Sequence, residues 1–488
     1  MRTALTGLVA AVAVLLGGCS LDLTNPNQPT VASTLTNPRA SISRMVVGVL
    51  GNYRDNRAVQ IRALGSFGRE TYYMFLTDGR FITGPYRDWK QNNAFEAGTQ
   101  WGARYQNRRN AYAAMQLINS SPTSVSPTTL TGAEKAGALG VLKTFIALDM
   151  LHVIEARGAI GAVVDMTDDV NAVLPIVSED SVYKWITALL DDAKGNLDTA
   201  GTSFYFPMHT GFSAFGVAAN KPAGFGQFNR AIKARVEAKR GSLGCGVPCY
   251  TAALTALGAT WIANLDSTNR DNGVYVIYST AAGDILNGAS FTGDKNYYVH
   301  PSIDSIAGVA QDDRYRRKAA LSTSACSTNY TSPQTEVSVT ATHRACTYAT
   351  NVTPIPIIRN EELVLLRAET EWFTGATVAA LTDLAAVRAG SGATRGGTAV
   401  VKFPTPAADS EFVAEVLLQR TLSLYQEGQR FPDYRRFGKL AELATLGQDA
   451  AQGFTVAPYS VLPSQECDAR ARVGNPGGIP RSCPGGPP

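Results

Sequence analysis

The chain has 488 residues, of which 45% are hydrophobic and 17% charged, with a formal net charge of +4. That is enough apolar material for a substantial core, arranged as two to four domains or as one large repeat-built domain. The small charge speaks against nucleic-acid binding, because the densest basic cluster, Arg314 to Lys318, sits beside Asp312 and Asp313 and reads as a solvated face.

At the N-terminus, Arg2 precedes an apolar run from Ala4 to Leu16 that ends Leu16-Gly17-Gly18-Cys19. The run falls short of the roughly 20 residues of a membrane-spanning helix, so 1–18 is read as a secretory signal peptide. Its ending resembles the lipobox of bacterial lipoproteins, which makes Cys19 the lipid attachment site and the anchor to a membrane. Ser20, where an inner-membrane retention signal carries Asp, points to the outer membrane. Residues 19–38, rich in Pro, Thr and Asn, form a lipid-attached tether, and 39–488 is read as a single domain.

Helical periodicity then dominates. Mixed three- and four-residue steps predict a helix over 101–118, and a nearly all-round apolar helix is predicted over 133–156. Ser178 followed by Glu179 and Asp180 opens a helix whose stripe runs from Val182 to Leu197. A pair over 228–240 and 250–264 follows, joined by the Gly/Cys/Pro turn at 241–249. About 266–355 is different: Gly, Ser, Thr, Asn and Tyr prevail, with short β-prone pieces such as Val274 to Tyr278. Helices return at 360–373, capped by Asn360 with Glu361 and Glu362 in the first turn, and at 376–389 and 410–427; 453–488 reads as a Pro/Gly-rich coil. Paired helices with short turns predict a mainly α, tetratricopeptide-like scaffold (about 39–265 and 356–445) with an irregular, partly β insert.

Of the seven cysteines, six remain after Cys19 is set aside, in three local pairs. In an exported protein these read as disulfides, and the nearest-neighbour pairing is Cys245–Cys249, Cys326–Cys346 and Cys467–Cys483. With four histidines in the chain and none near Cys245-Gly-Val-Pro-Cys249, neither a metal nor another cofactor is expected.

The segment Arg359 to Glu369 resembles the "R-x-x-E-x-x-L-x-x-A-E" helix of the SusD/RagB family. Leu381 to Arg388 is similar to that family's "N-x-V-R" helix, and Leu418 to Gly438 to its "E-R-x-x-E-L-x-x-E-G-x-R-x-x-D-L-R-R-x-G" signature. The chain departs from the pattern at Gln419, at Ser423 and at Arg157-Gly-Ala-Ile-Gly161, as a divergent member would. The resemblance implies a lipid-anchored protein on the outer face of the outer membrane, which captures an oligosaccharide or peptide. It would deliver that nutrient to a TonB-dependent, SusC-like barrel, and it would not be an enzyme. The competing readings are a periplasm-facing helical scaffold for outer-membrane assembly and a surface glycan hydrolase.

Glu427, Arg430, Asp433, Arg435 and Arg436 are read as a structural ion network rather than a ligand site. Carboxylate pairs such as Glu361/Glu362 point apart on a helix and fit the helix dipole better than glycosidase chemistry. His152 is read as a core histidine, and no nucleophile elbow, phosphate loop or His-Glu-x-x-His occurs. For ligand capture the aromatic loop 72–92 stands out, with Tyr73, Phe81, Tyr86, Trp89 and Asn92 as the candidates and Trp89 and Asn92, three apart, as the favoured pair, since sugars stack on flat rings and bond to amides. Tyr297 and Tyr298 are weaker candidates from the insert.

Overall fold

The computed structural model describes residues 36–90, 99–169, 171–320, 331–443 and 447–487. The signal peptide, Cys19 and most of the tether lie outside them, as do Asn92 and Cys326. In chain order the principal helices of the first half are α1 (Pro38–Asp55), α2 (Arg57–Phe67), α3 (Arg80–Tyr86), α4 (Thr99–Ser120), α5 (Gly132–Arg157), α6 (Glu179–Asp198), α7 (Pro222–Arg240) and α8 (Val247–Gly258). The second half adds α9 (Asn360–Phe373), α10 (Thr377–Val387), α11 (Asp409–Ser423), α12 (Arg430–Arg436) and α13 (Ser464–Arg472). The architecture is mainly α and tetratricopeptide-like. Each helix from α4 to α8 packs on the next, and α8 passes the stack to α9 and α10.

Helix α5 organises this stack. Its N-terminus carries a capping box in which the Thr131 hydroxyl accepts from the Glu134 backbone N–H and the Glu134 carboxylate accepts from that of Thr131. Val141, Leu142, Phe145, Ile146, Leu148, Leu151 and Ile154 are all buried, so its apolar surface faces protein on every side. By length and composition it could cross a membrane, yet it is packed inside the protein. The chain leaves α5 through Gly158 and Gly161, both at positive φ (+50° and +82°). A Cβ on Gly161 would lie 2.0 Å from the Val177 carbonyl oxygen, so only glycine fits there.

Among the described residues the strands form three antiparallel two-stranded ribbons, each with at least one strand from the insert. β1 (Thr71–Tyr73), from the helical part, pairs with β3 (Tyr297–Val299) in the register Thr71↔Val299, Tyr72↔Tyr298 and Tyr73↔Tyr297. β2 (Gly273–Val276) pairs with β6 (Ile355–Arg359), and β4 (Thr331–Glu336) with β5 (Val339–His343). Two ribbons therefore stitch the insert back to the scaffold: β1 brings it to α2, and β6 runs straight into α9.

Several local readings change. The basic cluster at 314–318 is not a solvated face: Arg314 is fully buried and donates to Asp312 at 2.7 and 2.9 Å. Asn360 is the first residue of α9 rather than its cap, and its side-chain oxygen accepts from the Ala263 backbone N–H. Glu361 and Glu362 answer to cations more than to the helix dipole. Glu361 pairs with Arg359, and Glu362 takes a bidentate bond from Arg235 at 2.6 Å. The C-terminal segment is not all coil, because Ser464–Arg472 is helical, with Glu466 in its first turn and Arg470 and Arg472 in its last.

Cys245–Cys249 clamps the turn between α7 and α8, and Cys467–Cys483 ties α13 to the residues that follow it. Cys346 is disulfide-bonded as well. The C-terminal residues reach back to the N-terminal helices: Asp449 pairs with Arg69 at 3.0 Å, Ser460 accepts from Arg157, and Glu466 accepts from the Trp101 indole at 3.3 Å.

Candidate functional site

The β1/β3 ribbon delivers two tyrosines to one groove. At its end Tyr73 lies opposite Tyr297 with ring centres 5.0 Å apart, and Phe75 continues the line, nearly parallel to Tyr73 at 6.3 Å. Phe81, on α3, meets Tyr73 edge-on at 4.8 Å. From α2 the Arg62 guanidinium covers the Tyr73 and Phe81 rings at 4.6 and 5.0 Å from their centres. Tyr73, Phe75, Tyr297 and Arg62, together with Tyr278, Asp55, Asp294 and Asn296, border a groove of about 580 Å³, in the size range of small-ligand sites, with Phe81 packed behind Tyr73. Phe75 is the exposed ring at 39%, and Ile285, Leu286, Gly288 and Gly293 complete the lining from the insert.

Its polar groups are held in place. The Tyr73 hydroxyl donates to Asp294 at 2.6 Å, and Asp294 in turn accepts from the Asn296 amide at 2.8 Å. Burial, together with that bond to a carboxylate, pushes the Tyr73 hydroxyl up to about 12, so it stays a proton donor at neutral pH. Arg54 is engaged by Asp284 and the Ile277 carbonyl. The Ser279 hydroxyl and Arg54 hold the Asp284 carboxyl down at about 2. The Tyr278 hydroxyl is buried and has no hydrogen-bond partner among the described residues. The groove thus offers aromatic rings, an amide, a hydroxyl without a partner among the described residues, and the Asp294 carboxylate held by Tyr73 and Asn296. That set suits an uncharged polyol with apolar C–H faces.

The nominated loop residues separate into two groups. Tyr73 and Tyr297 border the groove although both rings are largely buried, whereas Phe81 packs on Tyr73 without lining it. Tyr86 and Trp89 are core: Tyr86 is fully buried, donates to the Thr71 carbonyl and packs on Phe454, while the Trp89 indole donates to Thr455 and lies among Phe67 and Phe431. Tyr298 is buried under Arg344. The sequence reading missed Arg62, Tyr278, Asp294 and Asn296. The signal available was spacing: Asp294 and Asn296 flank the Tyr297-Tyr298 pair by one to four residues.

The C-terminal signature is a scaffold device. Arg420 pairs with Asp433 at 2.6 Å, Arg436 with Asp433 at 2.9 Å and with Glu369, and Arg359 with Glu427 at 2.8 Å, all buried. These ties fix α9, α11 and α12 against one another. His152 is likewise internal, bonded to Tyr53 at 2.8 Å, and burial pushes it down to about 3. No group of His, Cys, Asp or Glu fit to hold a metal occurs among the described residues.

Residues 263–462 match the model of the SusD family. In sequence alone, no curated protein matches the chain. In three dimensions it resembles a SusD superfamily protein of Bacteroides vulgatus (TM-score 0.61, 12% identity, 88% of this chain and 96% of that one). It also resembles NanU of B. fragilis (0.57, 15%, 88% and 94%) and a laminarin-binding SusD-like protein (0.57, 15%, 88% and 97%).

Proposed function

We propose that this chain is a member of the SusD family that binds a neutral oligosaccharide in the groove around Tyr73 and hands it on for uptake. SusD-like proteins are generally non-catalytic binding proteins associated with the outer membrane. The observation that carries the ligand class is the groove itself, where Tyr73, Phe75 and Tyr297 stand beside the Asn296 amide and the unpartnered Tyr278 hydroxyl. A laminarin-binding protein of the same fold supports a glycan over a peptide. Acylation of Cys19 would hold the protein at the outer membrane, facing out, beside a TonB-dependent barrel that receives the ligand.

Calorimetric titration with a panel of neutral glucans, laminarin included, tests the groove. Tyr73→Ala should weaken the bound glycan at least about tenfold, about 1.4 kcal/mol, while leaving the folded spectrum intact. A variant that binds as well as the wild type would remove the groove from consideration. Pull-down from solubilised native membranes tests the partner: a large barrel recovered in near-equal amount supports delivery, whereas assembly machinery would favour the scaffold reading.

A further inference from the structure

A second cavity, of about 400 Å³, opens at the other end of the β1/β3 ribbon. Its walls are mostly apolar, with Ile306, Val400, Val401, Leu417, Leu418 and Leu443; Lys402, Tyr434 and Glu442 also line it, Glu442 paired with Lys439 at 2.8 Å. Three polar groups at its base are each more than nine-tenths buried, namely Ser302, Thr421 and Arg430. Arg430 donates to the Arg69 carbonyl and, at 3.0 Å, to the Ser302 hydroxyl. Its Nε has no partner among the described residues, nor has the Thr421 hydroxyl.

The charge is what makes this cavity informative. A buried guanidinium is normally matched by a carboxylate, because leaving it unpaired costs several kcal/mol. The neighbouring arginines of the same signature obey this, Arg420 on Asp433 and Arg436 on Glu369 and Asp433. Arg430 makes no ion pair among the described residues. Glu70, on which Arg430 is the strongest neighbouring charge, has both oxygens unbonded among the described residues, and burial pushes its carboxyl up to about 8, so it stays largely protonated near neutral pH. The guanidinium lies over the Tyr434 ring, 5.2 Å from its centre, and borders the cavity without a carboxylate partner among the described residues.

We propose that this cavity binds a small carboxylate on an apolar body, with the carboxylate beside Arg430 and Thr421 and the body against Ile306, Leu417 and Leu418. Two sources share that chemistry: a medium-length acyl chain and an apolar amino acid with a blocked amine. The site is separate from the glycan groove and stands or falls independently of it.

The test is calorimetry on the full mature chain with octanoate, N-acetyl-leucine and octanol. One or both carboxylates should bind, the tighter of the two identifying the source, and octanol, the same body without the charge, should bind at least about tenfold more weakly. Ala414→Trp fills the cavity from its half-buried rim and should abolish binding, and Thr421→Val should weaken it. Tyr73→Ala should leave carboxylate binding unchanged, which separates this site from the groove. The proposal is overturned if neither carboxylate binds, if octanol binds as well as octanoate, or if Ala414→Trp has no effect.

Discussion

Gln419 shows how one residue can depart from a family pattern and still be required. The SusD/RagB signature has glutamate there. Here the side-chain amide donates to the Glu415 carboxylate at 2.6 Å and to the Val400 carbonyl at 2.8 Å, while its oxygen accepts from Arg314 at 2.6 Å. An amide donates on one side and accepts on the other, which an ionised carboxylate cannot do. Restoring the family residue, Gln419→Glu, would set two buried carboxylates against each other, and the loss should exceed about 1 kcal/mol by urea denaturation. Glu70 gives a second residue-scale prediction, with a definite pH dependence. Its carboxyl holds a proton up to about 8 when folded, against the ordinary carboxylate range when unfolded. Ionisation therefore opposes folding: the contribution is fully present at acid pH, below the ordinary carboxylate range, and is lost as pH rises through about 8. Glu70→Gln should raise the melting temperature at about pH 9 and lose that advantage towards about pH 4.

At the scale of elements, long periodic segments are legible in the sequence and short, context-made ones are not. The apolar pattern of 133–156 sits within Gly132–Arg157, and the stripe opened by Ser178 ends at Asp198, because burial and capping act within a few turns. Helices α1 and α2 carry their burial on mixed polar and apolar residues, Ser41, Arg57 and Gln60 among them, so hydrophobic periodicity does not announce them. The aromatic loop fails for a related reason. A ring that stacks on a ligand and a ring that fills the core are the same residue in sequence. Tyr73 and Tyr86 are both buried, and they differ in that Tyr73 borders the groove beside Tyr297, brought there from more than two hundred residues away, while Tyr86 packs on Phe454. Turns between elements are testable too. Gly161→Ala forces a side chain into positive φ and against the Val177 carbonyl, and should cost about 2 kcal/mol or more. Gly244→Ala, also at positive φ but with open space around it, should cost distinctly less in the same thermal melt.

Over the whole molecule, stability depends on ties between segments remote in sequence. The scaffold is one continuous stack, so its ends must be secured against fraying, and the C-terminal staple does this. The Cys467–Cys483 bridge spans 16 residues, and replacing both cysteines by serine should lower stability by about 3 kcal/mol in the chain-entropy account, read as a shift in urea midpoint. The fold class was evident from periodicity and the C-terminal motifs. The groove was not, since it is assembled from α2, β1 and three parts of the insert.

The reach of the C-terminal residues back to Arg69, Trp101 and Arg157 also sets an order of events in time. A ribosome makes those three residues first and their partners, Asp449, Glu466 and Ser460, last. Until the final segment emerges, Arg69, Trp101 and Arg157 have only their contacts within the earlier part of the chain, such as Arg69 over the Tyr86 ring and Arg157 over that of Trp101, and the ties across the molecule are the last to close.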